Sequence, residues 1–235
     1  MIESANEESE SISNGHSTKQ DKISNGTTLN GVDHHQNGSS AFVKKLKGIT
    51  KDEISGQGIL FFIAGFDTTH ATFDHIIYYL AQYPEWQEKL YQELFAAADQ
   101  LDYDQLRSLP VLNAIIGETL RLNPPLLVVQ RQSVADCELL DTGIKIQKNT
   151  LISIQPYIVH RNPEYFPDPL KFKPERFLTE DKSQSAESHF AYMPFGVGPR
   201  LCVGMRFAQN ELRIGLANLI LNYRITIDPN FKVGT

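Results

Sequence analysis

A chain of 235 residues, 41% of them apolar, is long enough for one domain with a sizeable core. Its net charge of −6 denies it the dense Lys/Arg face that a nucleic-acid surface needs. Two cysteines, Cys137 and Cys202, are too few for a disulfide framework and suit a reducing compartment. The first forty residues hold no apolar signal-peptide core. The longest apolar run, Ile59 to Ala64, falls far short of the roughly twenty residues of a membrane span, so neither a leader nor an anchor is expected.

Residues 1–45 are rich in Ser, Asn, Gly and charge, with no aromatic residue before Phe42. Such a segment cannot bury enough apolar surface to offset its ordering entropy, and a disordered tail is expected. The sequons Asn25-Gly26-Thr27 and Asn37-Gly38-Ser39 read as chance matches there, and Lys44, Lys45 and Lys47 as a solvated linker. Residues 46–235 then read as one mainly α-helical domain with a small β-sheet. Thr50 with Glu53 forms a capping-box signature, opening a helix of about 48 Å from Asp52 to Tyr83. Pro84 opens a second helix, with Trp86, Leu90, Leu94 and Ala98 every four residues, and Pro110 a third, to Leu122. Between Leu126 and Pro156, short apolar runs alternate with turn signals at Asp141-Thr142-Gly143 and Lys148-Asn149, the pattern of a small sheet. A proline-rich irregular stretch over 161–194 precedes a last helix from about Val203 to Tyr223.

The residues with the most chemistry lie in Phe195-Gly196-Val197-Gly198-Pro199-Arg200-Leu201-Cys202-Val203-Gly204. Glycines at 196, 198 and 204 let backbone approach a flat ligand closely. Cys202 precedes a helix, where unpaired N–H groups and the dipole favour a thiolate, and Arg200 can pair with a carboxylate. A buried structural cysteine beside a tight turn is the plainer alternative for a lone Cys. In the long helix, Ala64-Gly65-Phe66-Asp67-Thr68-Thr69 places a helix-weakening glycine and a β-branched pair around a charge amid apolar residues. That composition predicts a kink where side chains or water enter the hydrogen-bond ladder. Glu118 and Arg121 share one helix face. Of the histidines, His70 and His75 are ill-spaced to share a metal, and all are expected to be structural or exposed.

With every specified position of Phe-x-x-Gly-x-Arg-x-Cys-x-Gly present, the loop resembles the haem-binding signature of the cytochrome P-450 family. Glu118-x-x-Arg121, Pro174-Glu175-Arg176-Phe177 and the Ala64–Thr69 motif follow that family's order. The likeness is nearest to its animal microsomal branch, which includes drug-metabolising enzymes and thromboxane synthase. The resemblance implies the C-terminal, haem-binding part of that fold, holding haem b with Cys202 as axial thiolate to iron. It implies a propionate contact for Arg200 and for Arg131, with Phe195, Gly196 and Gly204 framing the sulfur. It makes Asp67 and Thr68 the acid–alcohol pair that relays protons to dioxygen, with Ala64 and Thr69 on the substrate side. Glu118, Arg121 and Arg176 would lock the core behind the haem, and His160-Arg161 would pack near its edge. It further implies an apolar substrate, O₂, a flavoprotein reductase as electron donor, and the cytosolic face of the endoplasmic reticulum membrane. Family members are about twice this length. The alternative is therefore a truncated, non-catalytic fragment that binds haem weakly or acts through protein contacts.

Overall fold

The computed structural model describes residues 48–98, 101–179, 185–188 and 190–228; expectations for residues 1–45 and for the basic run lie outside these. Helix α1 spans Lys51–Gln82. The Thr50 hydroxyl accepts the Glu53 amide at 3.2 Å, while the Glu53 carboxylate accepts the Thr50 amide at 2.8 Å, so two of the four orphan donors at the helix start are satisfied. These bonds from Thr50 hold the exposed Glu53 carboxyl below its usual range. The two halves of α1 differ sharply. Every residue from Lys51 to Ala64 is exposed, whereas Thr72, Ile76 and Leu80, one turn apart, are buried.

Helix α2, Pro84–Ala96, buries Trp86, Gln87, Leu90 and Leu94. A short helix α3, Tyr103–Ser108, follows, capped by Asp102 accepting the Gln105 amide at 2.8 Å. It was not anticipated, being too brief to show a period. Helix α4, Pro110–Leu122, is buried on all sides from Ala114 onward, and α1, α2 and the later helix α6 pack around it. Its start is held from outside, because Glu93 of α2 accepts the amides of Val111 and Leu112 at 2.8 and 2.9 Å. Burial raises the Glu93 carboxyl despite these two bonds.

The strands form two separate antiparallel ladders rather than the single small sheet expected. In one, β1 (Val129–Gln132) pairs with β4 (Leu151–Ile154); in the other, β2 (Cys137–Glu138) pairs with β3 (Lys145–Ile146). Between them Ser133 still pairs through its backbone, its amide donating to Thr150 O at 3.0 Å and its carbonyl accepting the Asn149 amide at 2.8 Å, and side chains take further amides. The Ser133 hydroxyl accepts the Thr150 amide at 2.9 Å and donates to Gln147 O at 2.6 Å, and Asp136 takes the Lys148 amide at 2.7 Å. Local side-chain bonds of this kind compete with ladder bonds.

After the one-turn helix α5, Pro156–Val159, the chain is irregular yet packed. Phe166 and Phe172 are buried, and Phe172 stacks on Tyr79 with ring centres 4.5 Å apart. A 3₁₀ turn, Pro174–Phe177, lies on α4. Helix α6, Met205–Asn222, closes the core with Leu212, Leu216, Ala217 and Ile220. The described chain is thus mainly helical with a small β component. None of its helices is long and apolar enough to cross a membrane.

Candidate functional site

The loop before α6 is built from two left-handed glycines, Gly196 (φ 76°) and Gly198 (φ 73°), a conformation that a side chain would strain. Gly198–Arg200 makes a 3₁₀ turn. The Gly196 amide donates to Met193 O at 3.0 Å, and the Cys202 amide donates to Phe195 O at 2.9 Å. The loop therefore folds back on its own start and presents Cys202 three residues ahead of α6. Gly204 precedes the first turn of that helix, and a Cβ there would stand 3.9 Å from Cys202 Sγ. Phe195 lends its carbonyl to Cys202 while its ring packs against the hydrophobic core.

The Cys202 thiol is free and exposed. Arg200, two residues away, has no hydrogen bond or ion pair among the described residues, and Val197, Leu201, Val203 and Phe207 expose apolar surface around the loop. Among the described residues no cluster of three or more His, Cys, Asp or Glu could cage a metal. A lone thiol with an unpaired cation and apolar neighbours fits a metal that brings its other ligands in a flat, apolar, carboxylated macrocycle. Haem fits this donor set. Arg131 lies on β1 opposite Ile152, exposed, and among the described residues its guanidinium donates only to Gln130 O, at 2.8 Å.

The Ala64–Thr69 motif lies where α1 passes from its exposed to its buried half. The helix runs continuously from Lys51 to Gln82, and, as the motif's composition leads one to expect, threonine side chains enter its hydrogen-bond ladder. Thr68 Oγ1 donates to Ala64 O at 2.7 Å and Thr72 Oγ1 to Thr68 O at 2.9 Å, an i to i−4 bonding that adds to the backbone bonds. Asp67 is exposed, without hydrogen bond or ion pair among the described residues, so no bond joins it to Thr68. The Thr69 hydroxyl oxygen is buried and has no hydrogen-bond partner among the described residues.

Behind the loop, Glu118, Arg121 and Arg176 come together. Glu118 and Arg121 are fully buried and bonded twice, and Arg176 Nε reaches Glu118 Oε1 at 3.4 Å. The remaining Arg121 donors go to His160 O, Pro169 O and Lys171 O, so all five N–H groups are used. His160 is also buried, between Arg121 and Met193. Its burial foremost, with the charges of Arg121 and Arg161, lowers its pKa to about 4. Desolvation likewise pushes the Tyr192 phenol well above its usual range; that phenol donates to Gly117 O at 3.1 Å. The contacts of Tyr192 and Glu93 were not anticipated, since neither stands in a motif or at a helix-face spacing from its partner.

Fold and loop together define a class: mainly helical proteins whose lone, glycine-framed cysteine stands ahead of the final helix. The chain matches the family model described as Cytochrome P450 over residues 4–233, and it belongs to that family of haem-thiolate monooxygenases. It is 38% identical over 186 residues to "Probable cytochrome P450 6d5" of Drosophila melanogaster, covering 77% of this chain and 36% of that protein. It is 36% identical to "Cytochrome P450 3A25" of Mus musculus, covering 78% and 36%. With "Cytochrome P450 3A29" of Sus scrofa it shares 34% identity, covering 75% and 35%. These likenesses place it among the animal branches that hold the 3A and 6 families. The chain spans little more than a third of the length of these relatives.

Proposed function

We propose that this chain is the haem-binding part of a monooxygenase that inserts one atom of O₂ into an apolar organic substrate. The observation that carries the reading is the Cys202 loop, a free thiol framed by left-handed glycines with an unpaired Arg200 beside it. Cys202 would hold the iron, and Arg200 and Arg131 the propionates. Haem, when bound, supplies the redox chemistry of oxygen activation, and a cysteine thiolate favours O–O cleavage. The protein's own part is to fix the thiol, through the Phe195 and Met193 carbonyls, and to provide Asp67 and Thr68 for proton delivery. In that role the Thr68 hydroxyl turns from Ala64 O, a change of one side-chain rotamer. Electrons would come from a flavoprotein reductase, and the cytosolic face of the endoplasmic reticulum membrane is the site that family likeness supports for the whole protein.

The test is the spectrum of the haem-reconstituted chain, reduced and exposed to carbon monoxide, beside Cys202→Ala. A strongly red-shifted Soret band lost in the variant supports the reading; a histidine-type or free-haem band sinks it.

A second reading has its own observation. Ile59, Leu60, Phe61, Phe62, Ile63 and Phe66 of α1 are all more than half exposed, an apolar stretch that invites protein contacts. On that reading the chain binds haem weakly and acts by association. Limited proteolysis separates the two, since a haem-holding module should resist digestion from the buried half of α1 to α6 and a loose remnant should not.

A further inference from the structure

His160 sits between two elements that share no motif. Its ring is fully buried, stacked on Tyr192 with centres 5.6 Å apart and edge-on to Phe166 at 6.1 Å. Nε2 lies 2.9 Å from the Met193 amide, which can only donate, and Nδ1 lies 3.1 Å from Arg121 O, which can only accept. These partners leave the ring one state: neutral, with its proton on Nδ1 and the Nε2 lone pair facing Met193. A second proton would set two N–H groups against each other at Met193.

The contact continues at both ends. Toward the loop, Met193 O accepts the Gly196 amide, and Phe195 O accepts the Cys202 amide. Toward the core, the Arg121 guanidinium holds His160 O at 2.7 Å and Glu118 through two bonds. We infer that His160 is a positioning residue for Cys202: its imidazole clamps the start of the cysteine loop to the end of α4 and so fixes where the thiol is presented. The functional meaning of that position rests on the haem-thiolate reading; the clamp itself does not.

Two amide substitutions divide the ring's bonds. The Gln side-chain oxygen is as many bonds from Cβ as Nε2, and the Asn amide as many as Nδ1. His160→Gln therefore retains an acceptor for Met193, and His160→Asn retains only the donor to Arg121 O. Amide hydrogen exchange on the full-length, haem-free chain reads the result. His160→Asn should speed exchange at Met193, Gly196 and Cys202 by roughly tenfold relative to His160→Gln, with the α4 amides of Ile115 to Leu120 unchanged. Equal exchange in both variants at these three amides overturns the inference, as does acceleration spread evenly through α4.

Should either variant fail to fold, the native chain decides. The groups that face His160 are Arg121 and, through it, Glu118 on α4, Arg161 on its own stretch and Tyr192 on the loop. On acidification through pH 4, after correction for intrinsic rates, the three loop amides should lose protection before the α4 amides of Ile115 to Leu120. Simultaneous loss in α4 and the loop overturns the clamp. No step of this test needs haem, so a failed carbon monoxide spectrum would count against the functional reading alone.

Discussion

Arg121 grips Glu118 at two points, Nε on one carboxylate oxygen at 2.7 Å and Nη2 on the other at 2.8 Å, with neither side chain reaching solvent. Bidentate geometry and five satisfied donors are what let a buried ion pair offset its desolvation. Removing one partner strands the other. Arg121→Met should therefore lower the unfolding free energy by about 3–5 kcal/mol. Arg176→Met, which gives up a longer and less buried contact, should cost on the order of 1 kcal/mol. Urea titration of the two variants checks this, and equal losses would contradict the ranking.

Gly→Ala should act in opposite directions at two helical positions. At Gly117 an added Cβ would lie 2.8 Å from Phe177 Cε1 and 2.9 Å from Cδ1, pushing a ring that stands edge-on to Tyr192. Overpacking of this kind costs about 1–3 kcal/mol, more than the helix gain of about 1. At Gly65 nothing lies within 4 Å, so Gly65→Ala should stabilise by about 1 kcal/mol. Thermal melts of both variants decide it; a stabilised Gly117→Ala would show that Phe177 yields freely.

Stability should fall with acid in a window that His160 defines. Its folded pKa of about 4 lies below the ordinary 6.5, so the unfolded chain binds the extra proton first. The contribution of this histidine is complete above pH 6.5 and declines as the pH drops from there toward 4, with a ceiling on the order of 3 kcal/mol. Unfolding midpoints measured at pH 7 and 4.5 should converge for the native chain and His160→Gln, since glutamine has no proton to take up. A gap unchanged between the two pH values would disprove the assignment.

Thr50→Ala should remove the hydroxyl half of the capping box at α1. The cost is about 1 kcal/mol, within the usual range for such caps. Because no side chain from Lys51 to Ala64 is buried, the effect should appear as lost helicity in far-ultraviolet circular dichroism more than as a shifted melting point.

Much of the architecture was legible where local chemistry specifies it. Pro84 and Pro110 open α2 and α4, and Thr50 with Glu53 caps α1. These signals depend on neighbours within one helical turn. What escaped notice depends on partners far along the chain. Glu93 holds the start of α4 from α2, and His160 joins Arg121 to Met193 across 39 and 33 residues. The split of the sheet has no marker of its own: Ser133 and Asp136 look like ordinary turn residues, and only the fold brings the Thr150 and Lys148 amides to their side chains. In the candidate site, Cys202 and the Glu118–Arg121 pair stood out by pattern. The rotamer of Thr68, bonded back to Ala64, has no sequence signature.

Helix α1 is a beam clamped at one end only. Its first buried residue is Thr72, and among the described residues none buries the fourteen positions before Gly65. Deflection of such a beam grows with distance from the clamp. Asp67 and Thr68, within about a turn of Thr72, keep their place relative to the core, while Leu60 to Phe62 move further for the same bending and the Lys51 end furthest. A single helix can thus hold a chemical group still at its root and carry an apolar stretch outward into solvent.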